Sequence, residues 1–150
     1  MKRLNNEYIK LNKNILIAFA ASIIISAIVA QLLSEQEHYL NTTFTLFADY
    51  ATYFSVFGIL YYLDNRKKYK LESGETNWPL LKGDLIKIIS SLGIAEVVYT
   101  VVRWSLQYYL LTVGYDAYVA SVVSQLISTI VYVIVMNVSV KITRLYKNVN

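Results

Sequence analysis

The chain has 150 residues, of which 56% are hydrophobic and only 16% are Asp, Glu, Lys or Arg; an ordinary soluble domain carries about 25% charged residues. A soluble fold this small needs polar groups over most of its surface, so the composition points to a membrane protein. With no cysteine and a single histidine, His38, it also excludes disulfides, thiolate metal sites and a histidine-built copper, zinc or haem centre within the chain, and no cofactor is expected.

Four apolar segments follow in order, at about 15–33, 41–63, 85–111 and 117–140. Each reaches the length needed to cross a bilayer. The expectation is an all-α polytopic membrane protein: a four-transmembrane-helix bundle forming one integral membrane domain over 1–150, with a polar connection at 64–84. Residues 14–34 carry no charge, and neither do 117–140. The first segment is too long for a signal peptide, and no small-residue cleavage pattern follows it before Glu35.

Basic residues are segregated. Lys2, Arg3, Lys10 and Lys13 precede the first span. Arg66, Lys67, Lys68, Lys70, Lys82 and Lys87 lie in or just after the long connection, and Lys141, Arg144 and Lys147 follow the fourth span. The loops at 34–40 and 112–116 have no Lys or Arg and carry Glu35, Glu37 and Asp116. The positive-inside rule then puts both termini in the cytoplasm and the protein in the cell membrane. The net charge of +4 is the remainder of this polarity, and no nucleic-acid partner is expected. The run Arg66–Lys70 meets anionic lipid headgroups instead.

Local signals add detail. Asn41-Thr42-Thr43 matches a glycosylation acceptor on the outer side. Tyr39, Tyr108, Tyr109, Tyr115 and Tyr118 at one end, and Tyr61, Tyr62 and Tyr69 at the other, suit interfacial anchoring. Asn77 is a candidate helix cap and Pro79 suits a first helical turn, with Trp78 at headgroup depth. Residues 2–14 have only weak apolar periodicity, enough for a short surface helix.

Small residues recur every fourth position at Ala18, Ser22, Ser26 and Ala30, and again at Ala120, Ser124 and Ser128. This spacing lets helix backbones approach closely in lipid. The stripes serve either packing within the chain or contact with a second copy or another membrane subunit.

Polar residues inside spans are costly and face an interior or a partner. Asp49, Arg103 and Gln125 each lie eight residues from the outer end of their span, hence roughly 12 Å deep. Ser26 is near the same layer. Asp49 and Arg103 are expected to pair. Glu96, seven residues before Arg103, shares its face and lies deeper, near the bilayer centre, with Tyr99, Thr100, Ser128 and Tyr132 within reach. These residues form a network that fixes helix register, a substrate or proton path, or a contact with another membrane subunit. No nucleophile, base and oxyanion site come together, so no enzyme is expected.

Four short-looped spans with both ends inside resemble the GtrA-like family of small membrane proteins. The ending YYLDNRKKY (Tyr61–Tyr69) is similar to that family's inner helix ends, with Asn65 and Arg66 at the matching places. The ending IVMNVSVKITRLY (Ile134–Tyr146) has Asn137 but no basic residue until Lys141, and the charged trio within the spans has no counterpart to carry over. The resemblance implies help in translocating a lipid-linked sugar or similar amphiphile, with Arg66, Lys67 and Lys68 on the lipid-linked phosphate. The alternative is an accessory or structural subunit of a larger membrane complex of oxidase, monooxygenase or glycosyltransferase type.

Overall fold

The computed structural model describes residues 2–143, with side chains over 6–139. Arg144 and Lys147 lie outside the described residues, as do the side chains of Lys2, Arg3 and Lys141. The chain is all-α: α1 (Lys2–Leu32), α2 (His38–Asn65), α3 (Trp78–Ser91), α4 (Gly93–Val113) and α5 (Ala117–Thr143). Residues 6–32, α2 and the described part of α5 are each long and apolar enough to cross a membrane, while α3 and α4 qualify only as a pair.

That pair corrects the third expected span. The stretch 85–111 is divided at Leu92, and the two helices meet at 60°. The break has a local cause. Ser91 Oγ donates to the Lys87 carbonyl at 2.7 Å, a back-bond that loosens and bends helices. Leu92 takes φ −92° and ψ 4°, off the helical region, and Gly93 follows with little helical preference of its own. Residues 2–14 are also not a separate surface helix. They continue into the first span as one 31-residue helix.

The connections explain the pairing of the long helices. At the acidic end, α4 stops at Gly114, whose φ of 98° closes a left-handed cap. Tyr115 N–H bonds back to the Leu110 carbonyl at 3.0 Å. At the basic end, Lys70 and Thr76 form an isolated antiparallel bridge around Gly74. Asn77 then caps α3, accepting from Leu80 N–H at 3.2 Å, with Pro79 in the first turn. Trp78 stays exposed and stacks on Tyr62.

α1 packs on α2 and α5, and α4 packs on α5 and α2. Both small-residue stripes lie in these seams: Ala18, Ser22, Ser26 and Ala30, with Ala120, Ser124 and Ser128, are fully buried. Ile24, Phe47, Val97 and Ile130 point outward, as lipid-facing residues do. Each long helix also gives one aromatic to a central layer. Phe19 of α1 stands 4.7 Å from Tyr53 of α2, 5.3 Å from Tyr99 of α4 and 5.1 Å from Tyr132 of α5, between ring centroids.

The seams make a direct prediction. Ala18→Leu and Ala120→Leu each force the backbones apart and destabilise by about 1–3 kcal/mol, the usual cost of overpacking. Unfolding by dodecyl sulfate in mixed micelles reads the loss. Ile24→Ala, on the outer face, leaves the midpoint nearly unchanged.

Candidate functional site

Two polar regions stand out: a closed layer within the helices and an open cleft at the basic end. The closed layer centres on Arg103, which is 1% exposed. Its Nε lies 3.5 Å from Asp49 Oδ2. Its Nη1 donates to Ser124 Oγ at 2.7 Å and to Gln107 Oε1, and its Nη2 donates to Ser121 Oγ at 3.2 Å. Asp49 also accepts from Tyr99 Oη and, at 3.0 Å, from Gln125 Nε2. Gln125 Nε2 reaches Ser22 Oγ of α1 at 2.7 Å. Thus Asp49, Arg103 and Gln125 come together, with all four long helices represented.

The α1 contribution differs from expectation. Ser22, not Ser26, joins the layer, and Ser26 Oγ has no hydrogen-bond partner. One helical turn separates the two, and Gln125 Nε2 meets the stripe at Ser22. Glu96 stands apart. It occupies the first turn of α4 and accepts from Tyr132 Oη at 3.1 Å. Tyr50 Oη bridges the Glu96 carbonyl, at 3.3 Å, and Thr100 Oγ1. Two turns of α4 divide Glu96 from Arg103, too far for direct contact.

Three members escaped the sequence reading: Ser121, which accepts from Arg103, Gln107 and Asn41. Gln107 follows Arg103 by four residues, so both share a face, and that spacing was the available signal. Gln107 Nε2 donates to Asn41 Oδ1 at 3.1 Å. Asn41 is 1% exposed, and its Nδ2 donates to the carbonyls of Ala30 at 2.9 Å and Leu33 at 3.0 Å. It therefore satisfies the Ala30 carbonyl in the last turn of α1, a group left without a partner in its own helix, and adds a bond to Leu33 just beyond. This corrects the glycosylation reading: the nitrogen that would carry a sugar is buried and doubly bonded.

The open region is a cleft of about 550 Å³ between the basic ends of α1, α2 and α3. Lys10, Lys68 and Lys87 line it, with Glu7 and Asp84 as counter-charges and Asn6, Asn14 and Asn65 between them. Its walls follow helical spacing: Glu7, Lys10, Leu11 and Asn14 share one face of α1, and Asp84, Lys87 and Ile88 one face of α3. Lys68 Nζ pairs with Asp84 Oδ2 at 2.6 Å, and Tyr69 Oη donates to the same oxygen at 2.8 Å. The hydrogen bond to Asp84 raises the Lys68 ammonium above its usual range. Among the described residues, neither Lys10 nor Lys87 makes an ion pair.

Of the three expected phosphate contacts, only Lys68 lines the cleft; Arg66 and Lys67 are exposed on the following turn. Tyr69, expected as an interfacial anchor, is instead fully buried, bonded to Asp84 and to Tyr61 at 2.9 Å. No group of His, Asp and Glu among the described residues is arranged to hold a metal ion.

The buried pair yields a prediction. Arg103→Met strands the Asp49 carboxylate and costs about 3–5 kcal/mol. The double variant Arg103→Met with Asp49→Leu costs less than the sum of the single changes, because neither charge is then left alone. A double-mutant cycle on unfolding in mixed micelles measures the coupling, and simple additivity would refute the pairing.

Comparison with known proteins gave no matching family model, no similar curated protein and no matching solved structure.

Proposed function

We propose that the chain is a small non-enzymatic protein of the cell membrane that assists translocation of a lipid-linked sugar or similar amphiphile, seating its anionic head in the basic cleft. In this reading α1, α2, the α3–α4 pair and α5 are four spans of one bundle with both termini cytoplasmic. The cleft carries the proposal. Three lysines converge on a cavity of about 550 Å³, two of them without an acidic partner among the described residues. Ammonium groups on flexible stems suit phosphate as point charges. Leu11 and Ile88 beside them offer apolar contact to the start of a lipid chain.

The segregation of Lys and Arg supports placing this cleft at the cytoplasmic leaflet. The GtrA-like resemblance agrees in topology, and Asn65, its motif position, lines the cavity. The buried layer supports a scaffold role for Asp49, Arg103 and Gln125, since their polar groups are turned on one another rather than on the cleft. The rival reading, an accessory subunit, draws on the small-residue stripes as partner contacts. Both stripes are consumed within the chain, which favours an autonomous protein, alone or as a homo-oligomer.

Two measurements test this reading. The chain has no cysteine, so single cysteines report sidedness cleanly. In intact cells, Gln36→Cys reacts with a membrane-impermeant maleimide and Glu72→Cys does not; the reverse pattern inverts the topology. Native mass spectrometry in mild detergent should find bound anionic phospholipid. The pair Lys10→Gln and Lys87→Gln lowers its occupancy about tenfold or more, the scale of losing charge-assisted hydrogen bonds.

A further inference from the structure

The aromatic layer gives the long helices a common level, since Phe19 meets Tyr53, Tyr99 and Tyr132 there. Leu92 lies seven residues from Tyr99 toward the basic end, about 10 Å along α4. The same count from Phe19 reaches Asn12, between Lys10 and Lys13. From Tyr132 it reaches Ser139, two residues before Lys141, and from Tyr53 it reaches Leu60, four residues short of Asp64. Asp64 in turn pairs with Lys13 at 3.5 Å. The break at Leu92 thus falls where the neighbouring helices turn charged.

From that level α4 alone is long enough to cross a bilayer. Its 21 residues extend about 31 Å, the thickness of a hydrocarbon core. Its Arg103 and Gln107 are buried, and Ile94, Val97 and Val101 point outward. α3 is a different kind of helix. Bent away by 60°, its 14 residues gain only about 10 Å along the axis of α4, on the scale of a headgroup layer. Its two faces are unlike. Asp84, Lys87 and Ile88 line the cleft. Trp78, Lys82, Ile86 and Ile89 recur at spacings of four, four and three, so they share another face, and all of them are exposed.

We propose that α3 is an interfacial helix, docked by this face on the phospholipid headgroups of the leaflet at the basic end, and that only α4 of the bent pair crosses the bilayer. The partner is a lipid surface for two reasons. Ile89 and Ile94 are exposed on either side of the kink, so lipid that meets α4 also meets the end of α3. The face also has the chemistry of a membrane interface. Trp78 anchors at headgroup level, Ile86 and Ile89 enter the top of the acyl region, and Lys82 reaches the phosphates with its stem along the apolar surface. Stacking on Tyr62 and the Asn77 cap fix the Trp78 end. The inference does not depend on what the cleft holds.

Spin labels test it on the full chain in vesicles of phosphatidylcholine and phosphatidylglycerol, starting from a sequence without cysteine. The labelled variants are Lys82→Cys, Ile86→Cys, Ile89→Cys and, on α4, Val101→Cys, all at exposed positions. Oxygen concentrates in the apolar bilayer and a nickel chelate stays in water, so the ratio of their collision rates reads depth. Ile86→Cys and Ile89→Cys should lie about 5–10 Å inside the phosphates, with Lys82→Cys close to phosphate level. Val101→Cys, eight residues beyond Gly93, should lie about 12 Å farther in than the kink. Depths at 86 and 89 equal to that of Val101→Cys would place α3 within the hydrocarbon. Access to nickel without oxygen would place the face in water. Closure to both reagents with an immobile spectrum would mean that a second copy or another protein covers it. Each of these overturns the proposal. A second measurement leaves α3 unchanged: with Trp104→Phe, Trp78 is the one tryptophan remaining. Lipids brominated near the head of the acyl chain should quench it more than lipids brominated near the tail, and the reverse order overturns the proposal.

Discussion

Arg103 carries a guanidinium with five N–H donors and no acceptor, and the packed helices hold it where water does not reach. Desolvating such a group costs several kcal/mol unless a counter-ion and hydrogen bonds surround it. Here Asp49 comes from α2, Ser121 and Ser124 from α5, and Gln107 from the same helix. Each acceptor fixes one neighbour at one height. A slip of either neighbour by a single residue would move its group by about 1.5 Å along the axis and rotate it away. The register of α2, α4 and α5 thus follows from one guanidinium. Gln125 extends the arrangement to α1 through Ser22.

That layer works only because the seams are narrow. Apolar association has little driving force among lipid chains, so close packing of small residues and polar contacts must take its place. The seams supply both at once: Ser22 and Ser124 are small enough for close approach and carry hydroxyls that enter the network. The aromatic layer is more than filler. Tyr99 bonds Asp49 with its hydroxyl and sets its ring against Phe19, so it couples the polar layer to the apolar one.

Much of this was legible in the sequence, and for a definite reason. The bilayer gives a common ruler, so counting residues from the loops without Lys or Arg placed Asp49, Arg103 and Gln125 at one depth. Counting along separate helices does not give their rotation, and that is why Ser26 was expected where Ser22 stands. The break at Leu92 was hidden because Ser-Ser-Leu-Gly is apolar enough to pass as a continuous span. Asn41 was misread because a three-residue motif says nothing of burial. The cleft was missed because its lining is polar. A search for apolar periodicity in residues 2–14 passes over Glu7, Lys10 and Asn14, which recur at helical spacing just the same.

The two ends of the helix assembly differ because the chain is used differently at each. At the acidic end, Asn41 satisfies a carbonyl in the last turn of α1, Gln107 holds Asn41, and Gly114 turns α4 sharply toward α5. Every connection there is short and internally bonded, and the hollow at that end, beside Glu37, His38 and Tyr108, is smaller, about 230 Å³. At the basic end, α1 and α2 run on past the level where α4 begins, and α3 departs at 60°. The wedge between them cannot be filled by small-residue seams, since those stop with the straight helices. Tyr69 and Lys68 tie the bent segment back through Asp84, which sets the width of the gap without closing it. The kink at Leu92 and the cleft are therefore one feature.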